Sequence, residues 1–243
     1  QSRFIGAGVE QSAFTLAFAL PNMARKLFGE GALTAAFVPV FKGEVEAQAM
    51  DSARRLARSV MTMAMLMLVS IVALVLIGLE CTVHFRFALE LSDRVLLTIR
   101  LVKTLIPYMI FICGAAFGMG VLNAMGRFKA SSAMPCLLNV FWIGILLWIC
   151  FHPELKLDQR IHRVSVAILV AGAFQMEFML WRMHCAGITP GISFKGWKDE
   201  KVRLVWRNTA IAAMGAGAVQ INYMLDQVLG QLAAPWAAGV IGY

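Results

Sequence analysis

Charge is scarce in this chain. Only 15% of its 243 residues are Asp, Glu, Lys or Arg, against roughly a quarter in an average globular protein. Too little polar surface is left to solvate an ordinary soluble fold, and disordered or collagen-like chains are excluded on the same grounds. Cysteine is also thin: five residues, Cys81, Cys113, Cys136, Cys150 and Cys185, none in a CxxC or Cys/His spacing, so neither a disulfide framework nor a zinc site is expected. The four histidines are scattered. There is no Walker sequence, GxSxG, HExxH or glycine-rich phosphate loop, and no nucleophile, base and orienting group converge within one segment. These absences argue against an ATP-driven pump, against an enzyme, and against any cofactor or metal.

What remains is oil. Hydrophobic residues make up 60% of the chain and the mean hydropathy is +0.73, which marks a membrane protein. A spanning helix needs about 20 largely apolar residues. Ser59–Leu79, Thr104–Gly126 and Ala130–Phe151 supply 21, 23 and 22 without a charge. Val164–Trp181 is apolar except for Glu177, and Asn208–Leu225 is uncharged up to Asp226. Gly6–Phe41 is apolar but interrupted by Glu10, Pro21, Arg25, Lys26, Glu30 and Pro39. It reads as one span, bent or broken near Pro21 and at Gly29-Glu30-Gly31. Six spans in an all-α bundle follow, and continuous apolar runs exclude a β-barrel.

The net charge is +8, which in a membrane chain points to basic loops rather than to nucleic-acid binding. Loops 42–58, 127–129 and 182–207 fall on one side and carry twelve Lys and Arg; loops 80–103 and 152–163 carry seven. The richer side is assigned to the cytoplasm. The chain opens at Gln1 with no complete first hydrophobic segment and stops at Tyr243 inside another, so it reads as a piece of something longer.

The chemistry is concentrated in Leu20-Pro21-Asn22-Met23-Ala24-Arg25-Lys26-Leu27-Phe28-Gly29-Glu30-Gly31. A charge facing lipid costs at least ~2.5–3.5 kcal/mol. Lys26 and Glu30, four apart, can pair on a helix. Arg25 points elsewhere, so it either faces an anion or watery cavity with its planar fork of donors or snorkels to an interface. Glu10, Ser12 and Glu30 are candidates to join it. Glu177 either solvates itself near a helix end or pairs with Arg182. Gln220, Tyr223 and Gln227 share a helical face beside Asn222 and Asp226, forming either a cavity wall or a hydrogen-bonded helix interface. Gly114-Ala115-Ala116-Phe117-Gly118, with Gly120, predicts close helix packing, as do Gly215 and Gly217. The 15 methionines read as packing or lipid-facing residues.

One resemblance is specific. Ile5-Gly6-Ala7-Gly8, Ala13-Phe14, Ala17-Phe18-Ala19-Leu20-Pro21-Asn22, Arg25-Lys26-Leu27-Phe28-Gly29-Glu30-Gly31-Ala32 and Ala36-Phe37-Val38-Pro39-Val40-Phe41 together resemble the signature of the MurJ/MviN family. Its members are flippases for lipid II, the lipid-linked peptidoglycan precursor, within the multidrug/oligosaccharidyl-lipid/polysaccharide exporter superfamily. Pro107-Tyr108, Leu122-Asn123-Ala124, Arg127-Phe128, Ala133-Met134-Pro135 and Leu138-Asn139 add to the match.

The resemblance implies about fourteen helices in two lobes around a cationic cavity. Residues 1–207 would then form the first lobe, from the end of the family's first helix to its sixth, and 208–243 the start of the seventh. It places Arg25, Lys26, Glu30, Ser12 and Asn22 at the substrate, and makes Asn123, Asn139, Gln220, Asn222 and Asp226 polar cavity or helix-interface residues. Ser12 stands where the family usually has an aspartate. The implied activity is alternating-access translocation of an undecaprenyl-pyrophosphate-linked precursor across the bacterial inner membrane, a multi-pass location. The implied partners are lipid II, membrane lipids and peptidoglycan-synthesis proteins. The alternatives are an exporter of another lipid-linked polysaccharide or drug, and a membrane scaffold that transports nothing.

Overall fold

The computed structural model describes residues 9–26, 31–84 and 93–233. Among them every regular element is helical: α1 (Val9–Ala24), α2 (Ala32–Glu46), α3 (Met50–His84), α4 (Asp93–Leu105), α5 (Tyr108–Ala124), α6 (Phe128–Cys150), α7 (Leu157–Cys185), a short 3₁₀ turn (Lys195–Lys198) and α8 (Glu200–Ala233). Continuous apolar sequence leaves few options other than helices, because in hydrocarbon each backbone N–H and C=O must be satisfied within its own segment.

Four segments are long and apolar enough to cross a bilayer: Met50–His84, Val95–Ala124, Phe128–Cys150 and Leu157–Cys185. The second is a single traverse made of α4 and α5, articulated at Ile106-Pro107, where Ile106 N–H still bonds Val102 O at 2.8 Å. Proline removes a donor and bends the axis without stopping the crossing. Chain from 208 onward, expected as a sixth span, lies in the 34-residue α8. It is long enough to cross, but Asn208, Gln220 and Asn222 keep it below the apolarity of the other four.

The expected first span is a broken one. Helix α1 runs straight through Pro21 to Ala24, residues 25 and 26 form a wider π turn, and α2 begins at Ala32. Both halves follow α5 in one direction. Phe18 stacks near Tyr108 at the start of α5, with ring centroids 6.0 Å apart. Phe37 meets Phe117 at 4.7 Å, and Gly120 leaves so little room that a β-carbon there would sit 3.1 Å from Thr34. The break therefore falls beside the middle of α5, at bilayer depth.

Two apolar cores result. One, toward the α5 C-terminus, gathers Leu33, Phe37, Phe41, Leu56, Phe117, Leu122, Met179 and Val205. The other gathers Phe14, Leu68, Leu101, Leu105, Tyr108, Ile112, Ile161 and Ile168. Close packing of α5 on α7 is as the small-residue pattern predicts: a β-carbon on Gly114 would lie 3.0 Å from Met176 Sδ, and one on Gly118 3.1 Å from Met179 Cβ. The same expectation fails at Gly215 and Gly217, which have nothing within 4 Å.

The three basic loops do meet at one end. Arg54 Nε donates to Gly187 O at 2.6 Å, Arg58 Nε to Thr189 O at 2.8 Å, and the Ser193 N–H to Thr62 Oγ1 at 3.0 Å. Lys201 pairs with Glu44, and Arg127 Nη1 reaches Cys185 O at 3.5 Å. Three loops far apart in sequence are thus tied together around the α3 N-terminus.

Candidate substrate cavity

A cavity of about 370 Å³ lies at the seam between the two cores, walled by α1, α5, α6 and α7. Its polar lining is Asn22 and Arg25 from the end of α1, Tyr108 from α5, Ser131 from α6 and Gln175 from α7; Phe18, Ile112, Met119, Met134 and Leu138 supply the apolar part. The α1 break explains why Arg25 is here. At a helix C-terminus the backbone carbonyls lose their partners and the macrodipole is negative, so a cation is favoured there. Asn22, one turn earlier, adds its amide oxygen: Arg25 Nε and Nη2 both donate to Asn22 Oδ1, at 3.3 and 3.1 Å.

The opposite wall is held by polar contacts that sequence reading did not anticipate. Gln175 is 2% exposed; its Nε2 donates to Met134 O at 2.9 Å, and its Oε1 is buried with no hydrogen-bond donor. An unsatisfied buried acceptor costs about 1–3 kcal/mol, so a ligand or water bringing an N–H or O–H would gain at this position. Ser131 Oγ donates to Asn123 Oδ1 at 2.6 Å, so Asn123 orients the Ser131 hydroxyl at the rim. The Tyr108 ring is wedged against Gly172, where a β-carbon would fall 2.4 Å from Tyr108 Cδ2. A guanidinium, two amides and two hydroxyls around an apolar pocket can receive an oxyanion with polar neighbours.

Not every expected residue is in this group. Lys26 is exposed and does not line the cavity. Glu30 and the pairing expected of it lie outside the described residues. Ser12 is on α1, thirteen residues before Arg25, which at 1.5 Å per residue is about 20 Å along the helix. It occupies another layer of the bundle, and its side chain, like that of Glu10, is not described. Asn139 is exposed on α6. Asn222 and Asp226 are exposed on α8, away from the cavity, and the side chains of Gln220, Tyr223 and Gln227 lie outside the described set. Glu177 is exposed and makes no ion pair with Arg182 among the described residues; Arg182 instead lies over the Trp181 ring at 5.5 Å. Five residues apart on a helix, the two point to opposite sides. The only signal that could have revealed Gln175 was an amide inside an apolar run on the buried face of α7.

Comparison with known proteins agrees with the fold. A family model described as "Lipid II flippase MurJ" matches residues 1–243. The chain is 30% identical over 228 residues to a probable lipid II flippase MurJ of Rhizobium tropici, covering 93% of this chain and 42% of that protein. It is 31% identical over 222 residues to one of Bdellovibrio bacteriovorus, covering 88% and 41%, and 29% identical over 237 residues to one of Haemophilus influenzae, covering 94% and 46%. The chain spans less than half the length of these curated relatives.

Proposed function

Because the chain belongs to the lipid II flippase MurJ family, a family of multi-pass membrane transporters, we propose that it forms part of a flippase for undecaprenyl-pyrophosphate-linked peptidoglycan precursor in the bacterial inner membrane. The observation that carries this reading is the Arg25 guanidinium set at a helix break, at bilayer depth, facing a polar-lined cavity. Arg25 attracts the pyrophosphate from the leaflet into the cavity, and Asn22 holds the guanidinium fork in position. The Tyr108 and Ser131 hydroxyls hydrogen-bond the groups next to the phosphates, and Gln175 Oε1 accepts from an N–H or O–H there. The cavity is near the low end of small-ligand pockets, which run roughly 300–1,000 Å³. It suits the pyrophosphate and first sugar, with the rest of the headgroup outside it.

No bond is made or broken in this step. Translocation follows if rocking of the bundle exposes the cavity first to one leaflet and then to the other.

The test is complementation. The full-length gene product, as wild type, Arg25→Lys and Arg25→Ala, is expressed in cells depleted of their own flippase. Wild type is expected to restore growth and lipid II translocation, Arg25→Lys to restore part, and Arg25→Ala, present at equal level in the membrane, to fail. Full rescue by Arg25→Ala contradicts the proposed role.

A further inference from the structure

A second cavity lies apart from the Arg25 cavity. It is a groove of about 750 Å³ bounded by α4, α6 and α7, with Arg100 of α4, Trp148 of α6 and Asp158, His162 and Arg163 of α7 among its lining. Its depth in the membrane can be fixed three ways. Counting 1.5 Å per residue from the basic end, Arg100 lies about 36 Å from Ala124, Trp148 about 30 Å from Phe128, and Arg163 about 33 Å from Cys185. All three agree with the far edge of a hydrocarbon layer about 30 Å thick. The groove therefore opens at headgroup level of the leaflet opposite the basic loops.

Its chemistry is that of a phosphate held above an oily floor. Arg100 and Arg163 are both exposed and, among the described residues, neither has a carboxylate within ion-pair distance. Their neighbours are committed elsewhere: Lys103 pairs with Glu80 at 2.7 Å, and Arg160 closes the turn before α7 through Leu155 O and Pro153 O at 2.9 and 2.7 Å. The Arg163 guanidinium lies over the Trp148 ring at 4.8 Å, and the His152 ring stacks with the same tryptophan at 4.0 Å. This fixes the fork at the interface, where tryptophan prefers to sit. Two guanidinia face the one carboxylate of Asp158, an excess of one positive charge among the Arg and Asp of the lining. Leu97, Leu101, Ile145, Val166 and Ala167 give the groove an apolar floor beneath these charges.

We propose that this groove binds one anionic glycerophospholipid of that leaflet, its phosphate on Arg100 and Arg163 and an acyl chain along the apolar floor of Leu97, Leu101, Ile145 and Ala167. The His162 ring and the Gln159 amide add donors at the rim, and Asp158 accepts from the hydroxyls of a glycerol headgroup. A single negative charge balances the lining, which a zwitterionic lipid does not. The site is separate from the Arg25 cavity and stands whether or not the proposed transport reading holds.

The test uses the full-length gene product purified in neutral detergent and a phosphatidylglycerol carrying a photoreactive acyl chain. Crosslinks are expected in peptides holding residues 97–101 or 145–167, displaced by unlabelled phosphatidylglycerol but not by phosphatidylcholine, phosphatidylethanolamine or soluble glycerol phosphate. Arg100→Gln with Arg163→Gln is expected to weaken labelling about tenfold or more, the loss of charge-assisted hydrogen bonds. Arg100→Lys with Arg163→Lys keeps the charge and stays near wild type, which separates binding from misfolding. Equal labelling of the glutamine variant, crosslinks elsewhere, or displacement by phosphatidylethanolamine or by glycerol phosphate alone would overturn the proposal.

Discussion

Arg25 is tolerable at membrane depth because three local features offset its desolvation: a helix C-terminus, the Asn22 amide one turn back, and a cavity in place of lipid. The sequence made this residue visible, since two cations inside an apolar run demand an explanation. It also made Asn22 visible through the motif they share. Tyr108, Ser131 and Gln175 were harder to find because their significance lies in facing Arg25 from three other helices, and one-dimensional spacing carries no information about that. At the same scale, Glu44 makes a titration prediction. Its hydrogen bond from Lys201, then that from Ser52, then the charges of Lys201 and Arg55 hold its carboxyl below the ordinary glutamate range, against an opposing effect of burial. A depressed carboxylate stabilises the fold above its unfolded pKa, and that contribution disappears as pH falls through the folded value. The difference in apparent unfolding temperature between wild type and Glu44→Gln should be largest near neutral pH and should shrink once pH drops below about 4.5, the usual glutamate value. A difference that stays constant down to that acid range contradicts the assignment.

Helices were easy to read where the apolar run was continuous: each of the four plain spans coincides with a long apolar helix, although three of those helices begin seven to nine residues earlier than the apolar run. The first traverse shows why boundaries are harder. Pro21 looks like the breaker but is carried inside α1, since one missing N–H costs a single hydrogen bond; the helices part further on, between Ala24 and Ala32. Glycine was legible in part. Gly114, Gly118 and Gly120 touch neighbours as their spacing suggests, whereas Gly172, which has no matching spacing, makes the tightest contact of this group. Gly172→Ala would press a methyl into the Tyr108 ring and force α5 and α7 apart beside the cavity, an overpacking cost of about 1–3 kcal/mol. Gly144 has open space around it, so Gly144→Ala should be neutral or slightly stabilising through helix propensity. Thermal unfolding of the two variants in detergent checks the contrast, and equal unfolding temperatures would contradict it.

The molecule as a whole is asymmetric in charge along its long axis. Arg54, Arg58, Arg127 and Lys201 tie three loops into one basic end, while the far end carries fewer cations and the Arg100–Arg163 groove. The positive-inside rule predicts that the basic end faces the cytoplasm. Two exposed cysteines sit at opposite ends: Cys185 beside the basic loops and Cys81 near the other end of α3. In single-cysteine variants of the full-length protein, a membrane-impermeant maleimide added to intact spheroplasts should label Cys81 and should reach Cys185 only after permeabilisation. The reverse pattern would invert the orientation.

The account rests on Arg25 receiving a pyrophosphate, and binding tests that more directly than growth. Affinity of the purified full-length protein for lipid II should fall about tenfold or more on Arg25→Ala, the loss of a charge-assisted contact. The same variant should bind undecaprenol, which has the tail and no phosphate, as wild type does. Unchanged affinity of Arg25→Ala for lipid II would contradict the account.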